Sequence, residues 1–378
     1  MNNMENLNSV CYVSTINEIK PIDGADKIVL ATIGGWNSII QKDAYNVGDL
    51  VIVATTDAVI PVQLSDELGV TSYLRKGQRV RTVKLRGVYS ECLIIPIYYA
   101  HNLGGKSWSE GSDVMDLLKI FKYEPPVQIR QLSSGRKIKY HDNSNFHIYY
   151  KFPNAKNVPD MFTEKNMVEI TRKIHGTNAR YGIVKKDKSS LWDKVRKLFG
   201  NKWAEYEFIV GSHNVEKGSD SNGFYDTNVW YEIENKYDIK NKMWSITKLR
   251  GVEEIGTGIV LYGEIYGSGI QKGYDYNLNE IRFAGFDVTI NGEYVDTDNA
   301  CYMMSDHFKL PYVPILYIGK WSKEVQDSFV FNSFIEGTKV PHEGVVLKDI
   351  TGDRKKIVKV INPDYLIYSE KNNVGDSH

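Results

Sequence analysis

The sequence predicts an α+β protein in two parts, a small β-barrel of about five strands followed by a larger domain mixing strands with an amphipathic helix. Three observations predict it. Over the first hundred residues short apolar runs recur at 10–13, 27–33, 49–54, 78–84 and 92–97, punctuated by Asp23-Gly24, Gly34-Gly35 and Gly48-Asp49. From about Ala100 to Pro153 the pattern weakens into Gly104-Gly105, Pro125-Pro126, Ser133-Ser134-Gly135 and a polar run over 141–145, which reads as a linker. Beyond it strand-like runs return, and over 185–205 Leu191, Trp192, Val195, Leu198 and Phe199 fall at helical spacing. That helix is expected to cover a sheet, with its basic face an alternative contact for phosphates. The boundaries follow: a barrel over 1–122, a linker over 123–145, and a second domain over 146–370.

A chain of 378 residues suits two or three domains, and 25% charged with 42% hydrophobic residues is ordinary for a soluble globular protein. The formal net charge is zero, so no global field advertises a polyanionic partner. Cations cluster locally instead, at Arg75-Lys76, Arg79, Arg81, Lys84 and Arg86, at Arg136 to Lys139, and at Arg354 to Lys356. The 25 tyrosines serve packing first, and exposed ones among cations suit nucleic acid. Cys11, Cys92 and Cys301 lie far apart without a CxxC pair, which excludes a disulfide framework and a cysteine-based zinc site and fits a reducing compartment. No apolar run approaches ~20 residues and the N-terminus lacks a signal layout. A cytoplasmic protein, with no membrane and no protein partner, is expected.

Within the first part, Pro21-Ile-Asp-Gly-Ala-Asp-Lys27, Gly35-Trp36, Val47-Gly-Asp49 and Arg81-Thr-Val-Lys-Leu-Arg-Gly87 with Ser90 resemble the OB module related to tRNA-binding domains of aminoacyl-tRNA synthetases. Such barrels hold nucleic acid through a cationic groove and stacking aromatics. Arg79, Arg81, Lys84 and Arg86 are the candidate nucleic-acid contacts. On one regular strand Arg79 and Arg81 share a face and Lys84 and Arg86 share the other, so a bulge or turn is needed to gather them. A solvated strand face without a ligand is the plainer alternative.

The second part is organised around Val168-Glu-Ile-Thr-Arg-Lys-Ile-His-Gly-Thr-Asn178. Alternation from Val168 to Thr171 marks a half-buried strand, with Lys173 near its end and Gly176 allowing a tight turn or close approach. A lysine there becomes a nucleophile once it loses its proton. Alone, Lys-x-x-Gly reads as an exposed strand-end lysine. Its company downstream changes the reading. A strand carries Glu264 near its centre, another ends in Phe286-Asp287, Glu343 precedes a β-branched strand, and Lys356 and Lys359 lie on or beside a final strand. His213 lies in a polar Gly211-Ser-His-Asn214 loop with no second histidine spaced for a metal.

In this order these motifs resemble the covalent nucleotidyltransferase superfamily of RNA ligases, DNA ligases and mRNA capping enzymes. Lys173-Ile-His-Gly-Thr-Asn178 is closer still to RNA ligases like phage T4 RNA ligase 2, in the group where an OB module precedes the ligase domain. The resemblance implies an OB-type barrel followed by an adenylyltransferase domain of antiparallel sheets with flanking helices. It implies that Lys173 takes AMP from ATP, passes it to a 5′-phosphate end, and that a 3′-hydroxyl then seals the strand. It further implies that Glu343 helps hold magnesium or manganese, that Glu264 and Asn178 hold ribose hydroxyls, and that Phe286 stacks on adenine, with Phe283 the fallback if the register differs. Lys359, or Lys356, would offset phosphate charge. The implied partner is RNA or a nicked RNA-containing duplex.

Three departures stand out. His213 lies where many ligases carry arginine, Ile357 stands where the last motif has its first lysine, and Arg172 precedes the nucleophile where an acid is common. Strand alternation turns Arg172 away from the site. A DNA ligase or capping guanylyltransferase is the nearest rival. Both usually carry a further OB domain, whereas this sequence ends about twenty residues after Lys359. A non-catalytic nucleic-acid-binding protein is the rival of another class.

Overall fold

The computed structural model describes residues 9–104, 107–123, 143–217, 228–352, 354, 356–372 and 374. Most of the expected linker over 123–145, with Arg136 to Lys139, lies outside the described residues. The chain divides into two compact units, one of residues 1–125, 152–163 and 358–371, the other of 126–151, 164–357 and 372–378. The barrel's unit thus takes in two short segments that the sequence placed in the later domain.

In the first unit, β1 (Cys11–Pro21), β2 (Ile28–Ile33), β3 (Trp36–Gln41), β4 (Leu50–Thr55), a hairpin of β5 (Val83–Leu85) and β6 (Val88–Ser90), and β7 (Cys92–Pro96) follow in order. Five of them form one sheet in the order β3-β2-β1-β4-β7. β1 pairs with β4 through Cys11–Thr15 and with β2 from Ile16 onward, with a register shift between Ile16 and Glu18. Such a bulge lets one strand serve two neighbours while the sheet bends. The run Val51-Ile-Val-Ala54 is buried on both faces: Val51 and Val53 join Ile16, Ile33 and Trp36, while Ile52 and Ala54 join Cys11, Val13 and Ile60. Each of its valine and isoleucine side chains contributes ~1.5–3 kcal/mol by leaving water, which is why this unbroken apolar run lies inside the sheet, between β1 and β7.

The run 78–84 is not the expected strand. Gln78 takes a positive φ of 65° after Gly77, and Arg75 and Arg79 bridge across that turn. Only Val83–Leu85 is extended, ending at Arg86 with φ 50°. The β3 strand, with Trp36 following a glycine pair, carried no apolar run long enough to be read.

In the second unit β8 (Met167–Lys173), β9 (Thr177–Lys185), β10 (Tyr206–Gly211), β11 (Gly258–Gly267), β12 (Ile281–Ile290), β13 (Glu293–Tyr294), β14 (Ile315–Lys320) and β15 (Gly344–Asp349) build two antiparallel sheets. One runs β10-β9-β11-β12-β13, and in the other β8 lies between β14 and β15. Helices over Val229–Tyr237 and Ile239–Arg250 lay Trp230, Ile233, Ile239 and Met243 on Tyr181, Ile183, Leu261 and Phe283 of the larger sheet. The expected helix over 185–205 is present as α1 (Leu191–Leu198), started by a capping box between Ser190 and Asp193. It does not cover the sheet: its large apolar side chains are exposed. Among the described residues no helix is long and apolar enough to cross a membrane.

Candidate active site

β8 ends at Lys173, opposite Gly344 of β15, and this register brings the lysine beside Glu343. Lys173 Nζ donates to Glu343 Oε1 at 2.6 Å. Alternation turns Arg172 the other way, where it donates to the Phe329 carbonyl at 3.2 Å. Past the strand the chain turns sharply. The His175 N–H donates to the Tyr276 hydroxyl at 2.6 Å, and the Gln271 side-chain amide donates to the Gly176 carbonyl at 2.5 Å. A Cβ at Gly176 would lie 2.1 Å from the Ile265 carbonyl oxygen. Only glycine lets this turn lie flat on β11. The buried His175 ring places Nδ1 3.8 Å from Glu343 Oε2 and meets Tyr274 edge-on at 5.2 Å. His342, next to Glu343 in the chain and burdened by burial and by Arg172, is held down to about 4 and is neutral at pH 7.

Across the turn, Asn178 of β9 is the direct partner of Glu264 on β11, and Glu264 is in turn the partner of Ala284 on β12. Burial pushes the Glu264 carboxyl up to about 8; Lys173 pulls against that and Glu343 adds to it. At pH 7 it therefore holds a proton, able to donate as well as accept. Among the described residues the buried Asn178 Oδ1 has no hydrogen-bond partner, nor has Glu343 Oε2. Buried acceptors in a native fold are normally matched. Both belong to the residues around Lys173, which suits a ligand that brings hydroxyl or amino donors.

Phe286 and Phe283 are placed differently by a bulge. Tyr262 pairs with Asp287 and Gly263 with Gly285, so Phe286 is the extra residue of β12. A bulge re-aims the side chain it carries. Phe286 is half-buried beside Ile174, Ala284 and Tyr266. Phe283 is fully buried in the core, filling the space that Gly263 leaves open. It is a packing residue.

Behind the bulge lies a charged network that no motif announced. Lys348, fully buried, donates to the Phe286 carbonyl at 2.6 Å and sits 3.6 Å from Asp287 Oδ2. Arg354 also pairs with Asp287, and Tyr149 donates to it at 2.8 Å while meeting Phe286 edge-on at 5.0 Å. Burial lowers the Lys348 ammonium and raises Glu169, its cross-strand partner. This network fixes the backbone from which Phe286 projects.

A family model described as RNA ligase matches residues 166–361, more than half of the chain. The chain belongs to the RNA ligase family. A second model, described as an OB-fold domain, matches residues 10–97 of this RNA ligase family member. Its structure resembles that of Naegleria gruberi RNA ligase. The unliganded form of one variant superposes with TM-score 0.71 at 22% identity, covering 96% of this chain and 98% of that one. A variant with AMP and manganese gives 0.71 at 21%, over 95% and 98% of the two chains. Another, with ATP and manganese, gives 0.69 at 22%, again over 95% and 98%. The comparison with curated proteins returns no match.

The remaining candidates of this family member are not all gathered here. Lys356 is half-buried and lies in the unit of Lys173, its carbonyl accepting from Asp349 N–H at 3.0 Å. Lys359 belongs to the other unit, where its N–H donates to the Pro153 carbonyl at 3.0 Å. His213 is half-buried in a turn after β10, and Arg180 secures that turn by donating to the Ser212 carbonyl at 2.7 Å. The four cations of the first unit are committed within the chain or sit at turns. Arg79 grips Asp57 and lies 4.3 Å over the Tyr123 ring; Arg81 pairs with Glu370 at 2.9 Å. Lys84 pairs with the Tyr89 hydroxyl at 2.8 Å and with Asp364 at 3.4 Å, and Arg86 occupies a positive-φ turn. Among the described residues no group of three or more His, Cys, Asp or Glu side chains is placed to hold a metal. His175, Gln271, Tyr276, Asp287 and Lys348 were not assigned roles from sequence. Only His175 carried a signal, its place in the nucleophile's motif.

Proposed function

We propose that this chain is an ATP-dependent RNA ligase that joins a 3′-hydroxyl to a 5′-phosphate at nicks in duplexes, through AMP carried on Lys173. The observation that carries the proposal is the Lys173–Glu343 contact of 2.6 Å beside an unmatched Asn178 acceptor paired across the strands with Glu264. Glu343 holds Lys173 in place, and a metal ion and a further lysine would favour the unprotonated amine, whose proton passes to water. The lysine lone pair then forms an N–P bond at the α-phosphorus of ATP as the P–O bond to pyrophosphate breaks, its electron pair leaving with pyrophosphate. An oxygen of the RNA 5′-phosphate next displaces the lysine, which takes back a proton. Finally the 3′-hydroxyl attacks that 5′-phosphorus, loses its proton, and AMP departs.

Asn178 and Glu264 suit the ribose hydroxyls, one as acceptor and the other as either partner. Phe286 offers its ring to adenine. Two carboxylates are too few for an all-protein metal cage, so a magnesium or manganese ion would rest on Glu343, with phosphate oxygens and water supplying the remaining positions, and would offset phosphate charge. Lys356 or Lys359 would add to that, and His213 and the OB module would help hold nucleic acid. The N. gruberi ligase with ATP and manganese supports these assignments through a shared fold. The three unbonded thiols fit a reducing, cytoplasmic setting and a role in RNA repair.

The test is covalent labelling. Incubated with magnesium and labelled ATP, the protein should retain label through a denaturing gel, and Lys173→Ala should lose it by at least ~10³-fold. Label from GTP alone would make it a capping-type enzyme, and no label from either would leave a binding protein.

A further inference from the structure

The one buried side chain of α1 is polar. Asp193 is buried and ion-paired to Lys186 at 3.1 Å, and Lys197 reaches Glu205 at 2.5 Å. The apolar side faces water: Leu191, Trp192, Leu198 and Phe199 are 81%, 74%, 84% and 84% exposed, and Val195 is 40% exposed. These five side chains occupy about 120° of the helix circumference, with Lys194 and Arg196 on its two edges. A monomer with no further task for this surface would turn the helix over. Between Lys185 and Trp203 the chain carries seven cations against two carboxylates, in a protein of zero net charge. Lys188, Lys194 and Arg196 have no ion pair among the described residues.

We infer that α1 is a second nucleic-acid contact of the ligase domain, and that it grips an unpaired strand of the RNA substrate. The inference rests on the function proposed above. Trp192 and Phe199 stand two turns apart on the side nearest Arg196, a stacking platform with a cation beside it. A duplex presents phosphates and ribose to a helix, which leave apolar side chains unsatisfied; unpaired bases present flat apolar faces. A second copy pressed on this face would set Lys194 and Arg196 against their counterparts, like charge on like. An eight-residue helix is short for lying along a bilayer surface. β9 runs nine residues from the nucleophile's turn to the segment leading into α1, about 27 Å at ~3.4 Å per step.

The experiment compares sealing of a pre-adenylylated nicked duplex with blunt arms against the same duplex bearing a 12-nucleotide unpaired tail. The wild type should show a KM at least ~10-fold lower on the tailed substrate, with a steeper salt dependence. Trp192→Ala with Phe199→Ala should erase that advantage while labelling of Lys173 from ATP stays intact. Trp192→Phe with Phe199→Tyr should keep it. The inference is overturned by a tail preference that survives the double alanine variant. It is equally overturned if the tail gives no advantage, if the wild type binds phosphatidylglycerol vesicles through these two rings, or if it forms a dimer that the substitutions break. Absence of lysine labelling would instead sink the proposed function and leave the tail comparison to stand on binding alone.

Discussion

The basic hairpin of the first unit and the surroundings of Lys173 in the second treat their charge in opposite ways. Around the hairpin, cations find partners within the chain: Arg79 has Asp57, Arg81 has Glu370, and Lys84 has Asp364. Around Lys173 the groups are left short. Asn178 Oδ1 and Glu343 Oε2 have no hydrogen bond among the described residues, and Glu264 is pushed to about 8. Partners close at hand in water contribute little. Unmatched groups out of water are costly, and a fold keeps them where a ligand completes them. Density of cations in the sequence is thus a poorer guide to chemistry than the mismatch the fold leaves behind.

The largest expected effect separates a buried charge from an exposed one. Lys348→Met removes an ammonium that is 2% exposed and leaves Asp287 and the Phe286 carbonyl without it. Breaking a buried pair from one side costs ~3–5 kcal/mol, which thermal unfolding should read as a Tm fall of about 6–15 °C. Lys84→Met, whose side chain is 43% exposed, should move Tm by about 2 °C or less. Equal shifts would erase the distinction between the two regions.

Next in size is a pH effect confined to the second unit. Glu264 binds its proton more tightly folded than unfolded, with a folded value of about 8 against 4.5. Between those values the native state holds more protons than the unfolded one, so stability falls as pH rises from about 5 to 8 and levels off above. Glu264→Gln cannot titrate, and its Tm should decline less over that window, by several degrees. The same variant should bind ATP with little dependence on pH near 8, whereas the wild type should weaken or strengthen as its carboxyl ionises. Parallel Tm curves for the two proteins from pH 5 to 9 would show that Glu264 is not the titrating group.

How much of this was legible beforehand depends on how local each feature is. That Lys173, Asn178, Glu264 and Glu343 lie close together could be expected because the motifs are short and lie on or beside strands whose alternation is visible. The different settings of Phe286 and Phe283 could not, since a one-residue bulge opposite Tyr262 and Gly263 leaves no trace in the pattern of β12. Nor could the Lys348 network, because a lysine ending an apolar strand reads as an edge residue until its partners on β8 and β12 are known. The seating of α1 failed for a related reason. Helical spacing tells which side chains share a face and says nothing of which way that face turns. The run 78–84 misled differently: its residues suit a strand, but the Asp57–Arg79 pairing and the turn at Gly77-Gln78 override propensity.

The smallest effect belongs to the hairpin, and it is the sharpest test of the contrast. Arg81 and Lys84 were read from sequence as nucleic-acid contacts, yet both are engaged by carboxylates of the helix Pro363–Lys371 in their own unit, at 2.9 and 3.4 Å. Such half-exposed pairs are worth ~1 kcal/mol or less each. If the carboxylates hold the cations, Arg81→Ala with Lys84→Ala should change KM for a nicked duplex by less than about threefold and leave lysine labelling untouched. RNA phosphates could instead displace Asp364 and Glu370, because a strand carries many charges where the helix offers two. Then the double variant would lose roughly one unit of salt dependence per cation and raise KM tenfold or more. The slope of log KM against log salt decides between them. A slope matching the wild type means that the hairpin's charge serves only its own helix.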